Sequence, residues 1–252
     1  MKIKYRSIEC FGISGCGKSY LRKIAKKNLE SKGFKVFDAR EIIVKFIDKL
    51  IPLKFTQKLD MFFFKMLLSI NIKTSLWNNS LDEISKIFVK RNFKRFFFYK
   101  KKMSFLYRDN NAVSKENTQI WLDELIISMM IFNKIKHNYK NTIYFPDEGF
   151  MQRLMLLTYS KKKINLNLIA KYLKNKIFCD KVIYVQSFKK KIYQVHKDRK
   201  LSQVGWNMNS YNLRKMFNLN NKIIGLIPFR YITFKNNYSA KVKFLVDTNM
   251  LL

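Results

Sequence analysis

Residues 12–19 read Gly12-Ile13-Ser14-Gly15-Cys16-Gly17-Lys18-Ser19 and fit the pattern G-x-x-x-x-G-K-[ST] at every fixed position. The glycines permit a tight loop whose N–H groups turn inward, onto phosphate oxygens. The flanks supply the context such a loop needs. Ile3–Phe11 reads as a strand, and Lys18–Ser31 as a helix with Leu21, Ile24, Ala25 and Leu29 on one face. The start of that helix adds the positive end of its dipole to the loop. The expectation is a triphosphate held by Gly12, Ser14, Gly15, Cys16, Gly17, Lys18, Ser19 and Tyr20. Lys18 would reach the β- and γ-phosphates, and the Ser19 hydroxyl would ligate Mg²⁺.

Working outward, Gly33 stands in a C-cap position. Phe34–Asp38 reads as a second strand, and Ala39–Leu50 as a helix halted near Pro52. A βαβα opening of this kind starts a parallel sheet. From about 54 to 139 the patterns are helical. Phe55–Ile70 is dense in Phe, Met and Leu, and Ser80 with Glu83 spells a capping box. Around Gln119–His137, Trp121, Leu125, Met129 and Phe132 lie beside Leu122, Ile126 and Met130, an apolar arc wide enough for a helix buried on most sides. Strand character returns at Thr142–Phe145, at Lys181–Gln186 and in the tail Lys241–Asp247, while Asn221–Phe234 is ambiguous. The expected layout is one α/β domain over 1–252, with a mostly parallel sheet and a helical insertion after the second strand.

The other strand ends offer candidates for chemistry. Thr142–Phe145 runs into Asp147-Glu148-Gly149, in a chain with only 17 acids. An acid there can hold Mg²⁺ through water, and a second can orient a water or a substrate hydroxyl. Asp38 and Arg40 follow the second strand, where ligands of parallel sheets collect. Asp38 reads either as a base or hydrogen-bond acceptor for a substrate hydroxyl or as the N-cap of the next helix. Arg40 reads as an anion partner or as an exposed arginine. Arg153, about a turn beyond the acidic pair, is a further substrate-binding candidate. After Lys181–Gln186 comes a basic run with Lys189, Lys190, Lys191, Lys197, Arg199 and Lys200. It reads as a cationic lid over the triphosphate or as a solvated helix face.

The segment FGISGCGKS resembles the P-loop of small-molecule kinases, a class that includes uridine and adenylylsulfate kinases. VIYVQSFKKKIYQVHKDRK is similar in layout to the stretch of thymidylate and deoxynucleoside kinases that leads into their arginine lid. The resemblance implies a three-layer P-loop NTPase fold, ATP and Mg²⁺ as cofactors, and transfer of the γ-phosphoryl group to a small-molecule acceptor. It also implies Arg199 and Lys197 as lid cations and Asp38 as the acidic substrate-binding position. Taken with the strand-end acids, the expected catalytic set is Lys18, Asp38, Glu148 and Arg199. Ser19 and Asp147 would carry the metal. Val195 stands where that family often has an arginine. Asp147-Glu148-Gly149 replaces its usual Asp-Arg or Glu-Arg pair, so the resemblance does not carry a nucleoside specificity.

Composition bounds the remaining readings. There are 51 Lys+Arg against 17 Asp+Glu, a formal charge of +34, which attracts nucleic acid, anionic membrane surfaces or phosphorylated substrates. The excess is mostly Lys, in a chain also rich in Asn, Ile and Phe. All four have AT-rich codons, so genome composition is the competing source. Three scattered cysteines suit a reducing cytoplasm better than a disulfide framework, and no signal peptide or ~20-residue apolar span is readable. Asn175-Lys176 lacks the acid of a guanine-reading motif, and Leu201–Gly205 only echoes a transporter ATPase signature. Three readings stay open: a kinase, an ATPase driving a partner, and ATP-coupled nucleic-acid binding.

Overall fold

The computed structural model describes residues 6–69, 77–104, 106, 115–159, 164–174, 179–198, 210–227 and 231–235. It is an α/β structure in which every strand pairing among these residues is parallel. β1 (Ile8–Phe11) is buried along its whole length, and β4 (Lys181–Gln186) pairs with it from Ile8–Lys181 to Phe11–Tyr184. A strand covered on both faces reads as a continuous apolar run rather than as an alternation. β5 (Ile232–Lys235) pairs with β4, and β2 (Lys35–Phe37) with β3 (Thr142–Tyr144). One parallel bridge, Ser7 to Tyr144, joins the two groups, with Tyr144 N–H donating to Arg6 O at 2.8 Å. The strands therefore lie in the order β2-β3-β1-β4-β5.

That order puts β1 between β3 and β4, with the chain leaving toward β2 and β3 first and toward β4 and β5 later. The carboxyl ends of β1, β2 and β3 consequently share one edge of the sheet. It is the edge where a reversal of winding opens a crevice.

Helix α1 (Lys18–Ser31) starts as the loop ends and buries Leu21, Ala25 and Leu29. Gly33, at φ 84°, closes it as Phe34 N–H and Lys32 N–H both return to Leu29 O. The stretch 54–139 holds α3 (Phe55–Ser69), α4 (Trp77–Arg91), α5 (Phe93–Lys102) and α6 (Lys115–Ile135), after α2 (Ala39–Phe46). The wide arc of α6 is buried, from Leu122 through Phe132 to Ile135. It packs on α2 and α5, and against β3 through Phe132 stacked on Tyr144 at 5.4 Å. Ser128 and Tyr144 hydroxyls, 2.8 Å apart, satisfy each other inside that contact.

Beyond β3 come α7 (Phe150–Arg153) with a 3-10 turn behind it, α8 (Leu166–Lys174), α9 (Lys189–Asp198) and α10 (Ser210–Leu226). One expectation is corrected. Helix α4 begins at Trp77, three residues before Ser80, so Ser80 sits inside the first turn and is not its N-cap. The fifth strand, Ile232–Lys235, falls in the stretch that was ambiguous in sequence, while Lys241–Asp247 lies outside the described residues. The three cysteines are buried thiols. Among the described residues no helix is long and apolar enough to cross a membrane.

Candidate functional site

The loop Gly12–Ser19 leaves the carboxyl end of β1 and enters α1. Gly15 and Gly17 take φ of 83° and 99°, values that L side chains rarely adopt. Gly12 is demanded by space: a β-carbon there would collide with the Val185 carbonyl of β4 and lie 2.9 Å from Cys16 Sγ. Cys16 is buried beneath the loop, where desolvation raises its thiol pKa, so it acts as packing rather than as a nucleophile. The Lys18 ammonium folds over the loop and donates to Gly12 O at 3.0 Å and Ile13 O at 2.9 Å. Ser19 and Tyr20 are exposed at the start of α1.

One turn beyond Lys18, Arg22 draws the neighbouring strand ends together. Its Nε donates to Phe145 O at 2.8 Å. One terminal nitrogen lies 3.7 Å from Asp38 Oδ2 and the other 3.7 Å from Asp147 Oδ1. Asp38, after β2, is also the N-cap of α2, for Oδ1 accepts from Glu41 N–H at 2.8 Å. Glu41 closes the capping box by accepting from Asp38 N–H at 2.7 Å. Of the two readings of Asp38, the cap is thus realised, and the outer oxygen faces Arg22. Burial, and then the nearby Glu41 charge, raises the Asp38 pKa, against the Glu41 N–H bond and the Arg22 and Lys26 charges.

The acidic pair after β3 divides. Asp147, 60% exposed, faces Arg22, whereas Glu148 accepts from Arg153 at 3.0 Å. Arg153 itself is buried in α7 with its guanidinium 4.8 Å from the Trp121 ring of α6. Burial lowers its pKa, while Glu148 and Glu124 hold it up. Glu124, also on α6, pairs with Arg40 at 3.4 Å. The insertion therefore supplies Trp121 and Glu124 to a charged cluster at the ends of β2 and β3. Of the expected lid, Lys197 falls within α9 and Arg199 lies outside the described residues. The first turn of α9 is anchored, with Ile192 buried and Lys189 Nζ 5.4 Å from the Phe217 ring of α10.

Three contributors were not singled out from sequence. Arg22 follows Lys18 by four residues, one helical turn, yet in a chain with 51 Lys+Arg a further cation has no contrast. Glu9, in the middle of β1, is wholly buried. Its carboxylate accepts from Met151 N–H at 2.8 Å, and a β-carbon on Gly149 would collide with it. Burial raises the Glu9 pKa to about 7 against the N–H bonds from Met151 and Phe150. Gln152, from the same turn, accepts from Gly12 N–H at 3.4 Å and ties the acidic segment to the loop. The signal for Glu9 was an acid inside an otherwise apolar strand.

Beside the loop a cavity of about 170 Å³ is bordered by Ile13, Cys16, Val185, Phe217 and Asn220. Asn220 is buried, and its Nδ2 donates to Tyr184 OH at 2.8 Å. Its Oδ1 has no hydrogen-bond partner among the described residues. A larger cavity of about 690 Å³ opens along β2 between α1 and α2 and takes in no loop residue. No cluster of three His, Cys, Asp or Glu side chains suited to a metal occurs among the described residues. A Mg²⁺ that keeps several waters and leans on phosphates needs no such cage, and the exposed Ser19 and Asp147 oxygens suit it. No family model, no curated protein and no solved structure matches this chain.

Proposed function

We propose that this chain is an ATP-dependent phosphotransferase on a three-layer P-loop NTPase fold, moving the γ-phosphoryl group to a hydroxyl of a small molecule. The loop from Gly12 to Ser19 would hold the triphosphate, with Lys18 leaving its carbonyl partners for the β- and γ-phosphates. Ser19 and Asp147 would hold Mg²⁺, which supplies neutralisation of phosphate charge when bound. The base would enter the cavity beside the loop, against Phe217, with the buried Asn220 Oδ1 accepting from its amino group.

In the transfer step the acceptor hydroxyl gives its proton to Asp38 Oδ2 as its oxygen bonds to the γ-phosphorus. The bond from that phosphorus to the bridging oxygen breaks, and ADP leaves with the electron pair. A carboxyl whose pKa is raised by burial is a better base at neutral pH than an ordinary aspartate. Arg22 holds Asp38 and Asp147 in register with the loop, and the cationic α9 run with Lys197 and Arg199 would close over the phosphates.

The observation that carries this reading is the pair of contacts that the insertion brings to the ends of β2 and β3: Trp121 against Arg153 and Glu124 against Arg40. An acceptor would need groups of this kind to hold it, and water does not. The alternative is an ATPase acting with a protein or nucleic-acid partner, for which the exposed Glu148 beside Asp147 would orient water. The deciding experiment is an ATP-consumption screen against nucleosides, nucleotides, sugars and lipid precursors, with and without nucleic acid. Turnover that needs a small acceptor supports the kinase. Turnover without one, or only with nucleic acid, rejects it.

A further inference from the structure

Helix α3 buries Met61 and Phe64 against the core, and its outer face should then be polar. It is not. Phe55 is 80% exposed and Phe62 62%, with Leu59 and Phe63 also exposed. Spacings of four, three and one residues place the four on one stripe, and a little over two turns of helix make that stripe about 12 Å long. Helix α5, which packs on α4 as α3 does, repeats the arrangement. Phe93, Phe97 and Phe98 are exposed there, Phe93 stacked on Phe97 at 5.8 Å.

Charge around these rings is mostly positive, with Asp60 the one acid on α3 and Lys100 of α5 paired with Asp123 at 3.0 Å. Helix α5 carries Lys94, Arg95, Lys100, Lys101 and Lys102 and no acid, and Lys102 Nζ sits 4.3 Å from the Phe98 ring. On α3, Lys54 just before the helix and Lys58 within it are exposed beside Phe55 and Leu59. Exposed rings flanked by flexible ammonium groups fit a surface that is apolar beneath and anionic on top. A second copy of this chain is a poor occupant, since each copy carries a formal +34. Nucleic acid would meet the charge, but Leu59 offers no ring face to a base, and most of the cations are Lys rather than the Arg that reads bases.

We infer that α3 and α5 dock the protein on an anionic lipid bilayer, their exposed phenylalanines entering the headgroup boundary and their lysines pairing with lipid phosphates. This docking is independent of the phosphotransferase reading, for it engages no residue of the loop or the acid cluster.

The test uses the full chain and sedimentation with vesicles of phosphatidylcholine alone or mixed with phosphatidylglycerol. Binding is expected to the mixed vesicles and not to the neutral ones. Two variants, Phe55→Ser/Phe62→Ser and Phe93→Ser/Phe97→Ser, change only exposed positions, so far-UV circular dichroism and thermal unfolding should match wild type. Each should weaken vesicle binding about tenfold or more. Undiminished binding by the folded variants would overturn docking through these rings, as would no vesicle binding at low salt. Phe-dependent binding to a single-stranded oligonucleotide without vesicle binding would overturn it in favour of nucleic acid. If the variants misfold, wild type alone decides: partial retention at about 0.5 M salt supports ring insertion, and complete loss reduces the interaction to charge and overturns it.

Discussion

Arg22 Nη2 and Asp38 Oδ2 lie 3.7 Å apart, and the same guanidinium reaches Asp147 Oδ1 at an equal distance. One cation on α1 thus sets the ends of β2 and β3 relative to the loop that opens its own helix. Its side chain is only 14% exposed, so the Asp38 pairing is partly shielded from water and salt, while the pairing with the exposed Asp147 is open to both. Arg22→Met keeps the length and the packing against Phe145 while deleting the charge. We expect acceptor phosphorylation to fall about tenfold or more, with ATP affinity changed far less, because the acids lose their common partner. Arg22→Lys should recover only part of it, since a point charge cannot reach Phe145 O and two carboxylates together. Steady-state kinetics with ATP and acceptor varied separately would measure this.

Asp38 caps α2, and the base role proposed for it can be separated from the cap by substitution. Asparagine caps a helix as well as aspartate does, so Asp38→Asn should unfold at a temperature close to wild type while losing acceptor phosphorylation and keeping ATP binding. Asp38→Ala loses the cap as well and should be destabilised by about 1 kcal/mol in chemical denaturation. A fully active Asp38→Asn variant would remove Asp38 as the base and leave it as a cap.

Trp121 tests the contact supplied by the insertion. Trp121→Ala removes the ring under the Arg153 guanidinium, 4.8 Å away, and leaves that buried cation with Glu148 alone as a close partner among the contacts described above. We expect the KM for the acceptor to rise by about tenfold, with the KM for ATP within about twofold of wild type. Equal effects on both substrates would mean that Trp121 holds the fold rather than the acceptor.

Glu9 makes stability depend on pH in a defined direction. Its pKa is raised to about 7 in the folded chain from an ordinary value of 4.5, so between those pH values the folded state holds the extra proton. Stability is then fully present below about 4.5 and falls as pH rises through about 7, by on the order of 3 kcal/mol for this group alone. Glu9→Gln keeps an acceptor for Met151 N–H and cannot ionise. Thermal unfolding across pH 4.5 to 8 should show a smaller decline with rising pH in the variant than in wild type. Parallel profiles would contradict a carboxyl titrating in the core.

The residues legible in the sequence are those whose backbone geometry allows few substitutes. Gly12, Gly15 and Gly17 are recognisable because a close approach to Val185 and two positive φ values leave little alternative. The wide face of α6 was legible because 3.6-residue periodicity survives any tertiary arrangement. The strand order was not, since it turns on Ser7 meeting Tyr144 across more than half the chain. Asp38 was readable as a cap or as a site residue because both uses favour the same side chain at the same place. Arg22 was lost among the lysines. The boundary at Trp77 was missed because Ser80 and Glu83 spell a capping box wherever they fall, while the helix already runs from Trp77.

Equilibrium binding of ATP with Mg²⁺ to the wild-type chain and to Lys18→Ala, followed by calorimetry, tests the central claim most directly. Lys18 lies over the loop on two carbonyls that a triphosphate would replace as its partners. The account predicts saturable binding by wild type and a loss of about a hundredfold or more in the variant, with unchanged circular dichroism. Equal affinity in the two proteins, or no binding by folded wild type, would contradict it.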